Sequence, residues 1–390
     1  TEDLVKKMPG ITIENGTVKA HGEDVKKILV DGKQFFGDDP SVTLKNLPAE
    51  VVDKIQVFDK LSDQAAWTGF DDGSGQKTIN IVTKNAKNTG QFGKFSAGYG
   101  TDEKYLLGAN MNFFNGSRRI TLLGMSNNVN QQNFSAEDVV GSSGGGRQPG
   151  MGGRGGGQGF QSGPQSGVFT TNAIGVNYTD AWGTKVTLNA SYFWNNGINT
   201  TDRLAQRQYI LEGDASQYYT EQSNSNTDNA NHRLNARIEY NIDTNNSIIF
   251  TPRLSIQDNT SDSYFNAMTS LTPDYIQENL VNASANTNNS VSTGYNFNND
   301  LLYRHKFNRK GRTISLNLGP GITNRDRDSY VNTQSIYYQQ AQGDINDSVN
   351  QYGKALTDGL SLSSNLVYTE PVGKNGQVQV NYNISWSKND

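Results

Sequence analysis

Cysteine is absent from the 390 residues, which excludes a disulfide framework, a thiolate metal site and a thiol nucleophile. A run of about 18 consecutive apolar residues is also missing, so no helix written here can cross a bilayer. Neither sign of charge is in excess: 34 Lys and Arg against 38 Asp and Glu leave a net charge of −4, which offers nothing to nucleic acid. Thr1–Met8 lacks the apolar stretch of a signal peptide. Overall hydropathy is strongly negative, yet a β-barrel escapes this test because averaging over alternating positions hides an apolar face.

What the chain does have is alternation. From Gly376 to Trp386, residues Val378, Val380, Tyr382, Ile384 and Trp386 fall on one face of a strand. Gln379, Asn381, Asn383 and Ser385 fall on the other. The same pattern recurs at Val186–Trp194, Leu234–Ile242 and Ile314–Leu318. Eleven strands are expected: 91–99, 105–114, 118–125, 169–178, 186–194, 234–242, 248–256, 295–307, 313–322, 360–368 and 376–386. After the first hairpin, short turns alternate with long polar connections, as in bacterial outer-membrane barrels, whose short turns are periplasmic and long loops extracellular. Pro252 is unwelcome inside a sheet.

The first 84 residues differ in texture. Thr1 can cap a short helix carrying Leu4, Val5 and Met8, which Pro9-Gly10 ends. Strands are expected at 11–13 and 17–20 around Asn15-Gly16, and a tight hairpin at 28–36 around Asp31-Gly32. Pro48 suits the first position of a helix over 49–53, with strands at 54–58 and 78–83.

Three motifs stand there in order. The first is Val30, Asp31, Gly32, Phe35, Phe36 and Gly37; the second is Ile55 and Val57. The third joins Gly69, Asp71, Asp72 and Gly73 to Ile79, Asn80, Ile81, Thr83 and Lys84. Together they resemble the plug of TonB-dependent outer-membrane receptors, in particular the Bacteroidota branch of plug-plus-barrel proteins. Gln56 stands where that family often has Glu. The segment a TonB protein would grip is not in this sequence.

The resemblance and the alternation give one expectation: a mainly β chain, with a small α/β plug domain at 1–84. Residues 85–390 would then form the first half of a transmembrane antiparallel up-and-down barrel. The chain would enter from the periplasmic side and carry a Gly-rich extracellular loop at 141–167. Receptors of this kind close with about 22 strands, and lipid tolerates no open edge, so the sequence reads as a fragment of a longer chain whose upstream part held a leader. The resemblance implies uptake of a bulky nutrient across the outer membrane, with the TonB–ExbB–ExbD complex as partner, outer-membrane lipid as solvent, and room for a surface lipoprotein. A non-transporting scaffold, a secretion-associated barrel and a soluble adhesin-like β protein remain alternatives.

Chemistry is sparse. The glycine spacing around Arg154 follows no βαβ pattern and is no dinucleotide fingerprint; an RGG-type RNA-binding segment weighs little against a simple loop. His21, His232 and His305 lack ligand spacing. Asp38-Asp39, Asp71-Asp72 and Asp326/Asp328 lie in no calcium-loop signature and read as solvated turn residues. No serine, histidine and acid arrangement suggests catalysis, so no enzyme, metal or cofactor is expected. Arg237, Glu239 and Arg253 would point into the lumen, where charged hydrogen bonds to the plug compete with simple hydration.

Overall fold

The computed structural model describes residues 2–14, 17–34, 43–44, 47, 49–84, 89–130, 167–211, 216–339, 343–373 and 376–390. Thr1, Asn15-Gly16, Phe35, Phe36, Gly37, Asp38-Asp39, Pro48 and residues 141–166 of the Gly-rich stretch lie outside them.

Eleven antiparallel strands form one sheet whose spatial order is the order of the chain. They are β8 (Thr89–Tyr99), β9 (Tyr105–Asn115), β10 (Arg118–Asn127), β11 (Val168–Trp182), β12 (Val186–Ile210) and β13 (Ser216–Asn241), followed by β14 (Asn246–Ser270), β15 (Leu280–Lys306), β16 (Thr313–Tyr337), β17 (Ile345–Val372) and β18 (Gly376–Asn389). β8 and β18 are its two edges, and the sheet is not closed. Among the described residues no helix is long and apolar enough to cross a membrane.

The stretches 195–231, 257–294 and 323–359, expected as long loops, are for the most part strand. β12 to β17 run 25 to 28 residues each, and the connections between them shrink to 211–215, 271–279 and 338–344. The reason is physical: above the apolar region both faces meet water, so alternation disappears while backbone pairing continues. Pro252 sits inside β14 rather than at an edge. The ladder pairs Asn235 with Arg253 and Ile238 with Phe250 but leaves Ala236 and Arg237 unregistered against Thr251 and Pro252. The proline's missing N–H is accommodated by a local gap.

The two faces of the sheet differ in kind. On one, polar side chains are buried: Asn177, Thr121 and Ser315 are at 0 % exposure, and Ser191 at 3 %. On the other, large apolar side chains stand out, with Trp182 at 54 %, Leu362 at 48 % and Tyr382 at 61 %. In β12 through β18 the outward apolar stretch occupies five alternate positions per strand, such as 186–194, 295–303 and 378–386, with few polar interruptions. Nine residues at about 3.3 Å each span about 26 Å along a strand, or about 20 Å after a 40° tilt. The lower end of this belt shifts by one outward position between β15 and β16 and again between β17 and β18, both times toward the short turns.

The N-terminal segment packs on the polar face near the short turns. Its α1 (Glu2–Lys6) precedes a small sheet of β1 (Ile11–Glu14), β2 (Thr17–Ala20) and β3 (Glu23–Asp24). A second sheet, in the order β5-β4-β7-β6, joins β4 (Lys27–Val30), β5 (Lys33–Gln34), β6 (Val52–Lys60) and β7 (Gln76–Thr83). The helix expected over 49–53 is a single 3-10 turn, Ala49–Val51, because β6 begins at Val52 and claims the backbone for the sheet.

Val5, Val18, Ile28, Val30, Leu47, Ile79 and Ile81 form a core that Leu123 and Phe193 of the long sheet complete. Each such buried side chain is worth roughly 1.5–3 kcal/mol. Phe193 lies over its cross-strand partner Gly175, where a Cβ would meet the ring at 2.5 Å. Gly175→Ala should therefore cost about 1–3 kcal/mol by overpacking, read as a lowered urea midpoint. Gly98→Ala, with nothing within 4 Å, should not destabilise; equal stability of the two variants would contradict this packing.

Candidate functional site: the contact between the N-terminal segment and the long sheet

Two anchors hold the segment, and the first is built on the Val30-Asp31-Gly32 turn. Asp31 and Gly32 both have positive φ, 50° and 78°, the geometry that reverses a two-residue hairpin. Asp31 Oδ1 accepts the Thr83 N–H at 2.7 Å, and Oδ2 accepts the Thr83 hydroxyl at 2.7 Å. Arg119 of β10, 6 % exposed, donates to Asp31 Oδ2 at 2.6 Å and to the Val30 carbonyl at 3.3 Å, with its guanidinium 4.9 Å from the Phe114 ring centre. Asn80 accepts the Gly32 N–H at 2.8 Å and donates to Gln56 Oε1 at 2.9 Å, so Gln56 supplies a neutral acceptor. Asn189 of β12 donates to the Gln34 carbonyl, and Lys33 to the Ser117 carbonyl at 3.3 Å.

The second anchor is α2 (Asp63–Thr68), an element the sequence reading missed. Its signals were present: Ser62 caps it by accepting the Ala65 N–H at 2.9 Å, and Gly69 ends it with φ 74°. Arg237 of β13 donates two hydrogen bonds to the Asp63 carboxylate, at 2.8 and 2.9 Å, a two-pronged charged pair. Arg304 of β15 donates to the Asp63 carbonyl at 3.1 Å, and Gln64 to the Ser315 hydroxyl at 3.1 Å. Gln377 of β18 donates to the Thr68 carbonyl at 3.4 Å. The Trp67 ring takes two cations, Arg304 at 4.5 Å and Lys306 at 4.1 Å. Six residues of helix thus touch β13, β15, β16 and β18.

Of the three charged residues singled out in the sequence, Arg237 meets α2. Glu239 pairs with Arg304 at 3.4 Å and Arg237 at 3.8 Å, and Arg253 pairs with Asp300 of β15 at 3.2 Å. Asp71 and Asp72 accept turn hydrogen bonds from Gly73, Ser74 and Ser62. Ile79 and Ile81 are fully buried, while Ile55 and Val57 pack against the core from the side. Lys84 continues β7 by donating its N–H to the Val51 carbonyl at 3.0 Å. Among the described residues no group of three or more His, Asp and Glu is placed to hold a metal ion.

Between the anchors lies a polar cavity of about 390 Å³, lined by Lys27, Lys33, Lys60, Asp63, Arg237 and Glu239 among others. Burial pulls the Lys60 ammonium below its usual value, and Lys27 and Arg237 reinforce this against Asp63 and Glu239. Burial would raise the Asp63 carboxyl. The charge and hydrogen bonds of Arg237, with Lys60 and Arg304 behind, outweigh it and hold the group below the usual carboxylate range.

No family model matches this sequence, and no curated protein matches it. Solved structures with some likeness include the ferric yersiniabactin uptake receptor FyuA from Yersinia pestis, at 10% identity and TM-score 0.25, over 98% of this chain and 65% of that one. The siderophore receptor PiuA from Acinetobacter baumannii matches at 12% identity and TM-score 0.26, over 95% and 62%. The pyoverdine outer membrane receptor FpvA from Pseudomonas aeruginosa PAO1 matches at 9% and 0.24, over 99% and 75%. The chain spans less than two thirds of the length of the first two. Overlap this loose sets no constraint on fold or ligand.

The Asp63–Arg237 pair yields a testable coupling. In a double-mutant cycle of Asp63→Asn and Arg237→Gln, read as the urea needed to expose the segment to protease, the interaction term should be about 1 kcal/mol for a partly solvated pair. Because the folded Asp63 pKa lies below its unfolded value, this stabilisation is whole above the usual carboxylate range and is lost as pH falls through the lowered value. The segment should loosen only as pH falls below the usual carboxylate range, and Asp63→Asn should abolish that part of the pH dependence.

Proposed function

We propose that this chain is part of an outer-membrane receptor, with residues 1–84 as a plug seated against the wall of a transmembrane β-barrel. The observation that carries the reading is the apolar belt: five outward positions per strand, about 20 Å tall, on a sheet whose opposite face buries Asn, Ser and Thr. A soluble sandwich would put its apolar face inside; here the polar face is the one that is covered. Aromatic residues gather at the lower margin of the belt, Trp182, Tyr240, Tyr303 and Tyr368 among them, as amphipathic rings do at a membrane–water boundary.

In this reading ligand enters from the side of the long polar ribbons and meets the top of the plug. The two anchors keep the segment in place at rest. A pull from the TonB–ExbB–ExbD complex on sequence preceding the plug breaks the Asp63 and Asp31 contacts, and the polar cavity between plug and wall widens into a route. The chain moves its cargo without altering a bond in it.

Adjacent substitutions test the facing. Ile384→Lys, directed at lipid, should cost about 2–4 kcal/mol near the bilayer midplane, measured by urea titration in liposomes. Asn383→Lys, directed inward, should be mild. Equal costs at both positions would refute the membrane reading.

A further inference from the structure

Charge is sorted between the two faces of the ribbons. Strand alternation and the recorded registers place Arg233 (β13), Arg253 (β14), Arg325 and Arg327 (β16) on the inner face, the face that carries the N-terminal segment. Across the inner positions 219–235 of β13, 253–269 of β14, 284–300 of β15 and 317–335 of β16, the carboxylates are Asp300, paired with Arg253, and Glu221, 3.4 Å from Arg203 of β12. Among these positions four arginines less two carboxylates leave +2 on that face. The outer positions of the same stretches hold Asp228, Asp258, Asp262, Asp326 and Asp328 and no Lys or Arg, which gives −5. The tetrapeptide Arg325-Asp326-Arg327-Asp328 shows the sorting within four residues.

Local contacts agree with these directions. Arg325 donates to the Ser292 hydroxyl of β15 at 3.2 Å, on the inner side. Asp328 accepts from Tyr352 at 2.5 Å, and Asp326 lies 3.7 Å from Lys354, on the outer side. Arg325 and Arg327, two residues apart, stand roughly 7 Å from each other. The facing inner positions of β15 carry Asn298, Asn296, Gly294 and Ser292, none longer than asparagine, so the guanidinium groups rise above their surroundings. Below them, on the same face, Arg237 borders the cavity that Lys27, Lys33 and Lys60 also line.

We infer that the inner face of the ribbons is a binding surface for a compact multivalent anion, one bearing carboxylates or phosphates, gripped by Arg325 and Arg327. Guanidinium forks match the oxygens of either group, and a wall with more cations than carboxylates draws such ligands toward it before contact. The acidic outer face works the other way, turning anions away from the wrong side of the sheet. The inference rests on the receptor reading for its biological meaning, since ligand would approach along these ribbons.

The test uses the purified protein in detergent and three probes by calorimetric titration: citrate for carboxylates, inositol hexakisphosphate for phosphates, and neutral maltohexaose. One anion, or both, should bind with an affinity that falls as salt rises, and maltohexaose should not bind. Arg325→Gln/Arg327→Gln should weaken anion binding at least ten-fold. Asp326→Asn/Asp328→Asn, in the same tetrapeptide but on the opposite face, should change it less than two-fold. Heat-modifiable migration on gels checks that both variants are folded. Loss of binding in neither variant, equal effects of both, or maltohexaose bound as tightly as the anions would overturn the inference. Lysine costs at residues 383 and 384 bear on the membrane reading alone, so the two ideas fail separately.

Discussion

Backbone pairing between neighbouring strands is the constraint on which everything else rests. Ten successive antiparallel ladders pair the peptide groups of β9 through β17 on both sides, save the gap at Pro252, and of the edges β8 and β18 on one, without reference to the side chains, so each strand is free to present one chemistry to each face. Over the belt that freedom is spent on apolar side chains outward and amide or hydroxyl side chains inward. Above the belt it is spent on carboxylates outward and guanidinium groups inward. One rule of geometry, a period of two, therefore produces an exposed apolar surface, a surface for the N-terminal segment and a charged wall.

Against that wall the segment is held by few but specific contacts. Leu123 and Phe193 reach from the sheet into the segment's own core, while Arg119 and Arg237 each clasp an aspartate. Hydrophobic burial and ion pairing do different jobs here. The first gives adhesion without direction. The second fixes where Asp31 and α2 sit, and it can be undone by competing charge or by protonation.

Much of the sheet was legible in the residues. All eleven strands are where alternation and turn signals put them, since a half-apolar strand leaves a period-two record. Their length was not legible beyond Trp194 or Tyr295, because a strand wet on both faces carries no such record. α2 was missed for its brevity, although Ser62 and Gly69 bracket it. The cations around α2 were only half legible: Arg237 stood out as an inward residue able to reach the N-terminal segment, but its pairing with Asp63, and those of Arg304 with Asp63 and of Lys306 with Trp67, span more than 170 positions and only folding brings them to one helix. Arg119 was hidden in the same way from Asp31, and the inward sorting of arginine from aspartate emerges only once register is known.

The four tryptophans report directly on the central claim, that the apolar side of the sheet contacts acyl chains. Trp182, Trp194 and Trp386 lie on that side, and Trp67 lies on α2 between Arg304 and Lys306. Single-tryptophan versions of the protein in vesicles of brominated lipid should show strong quenching at 182, 194 and 386 and little at 67. Quenching of Trp67 as strong as the others, or none at the three sheet positions, would contradict the account.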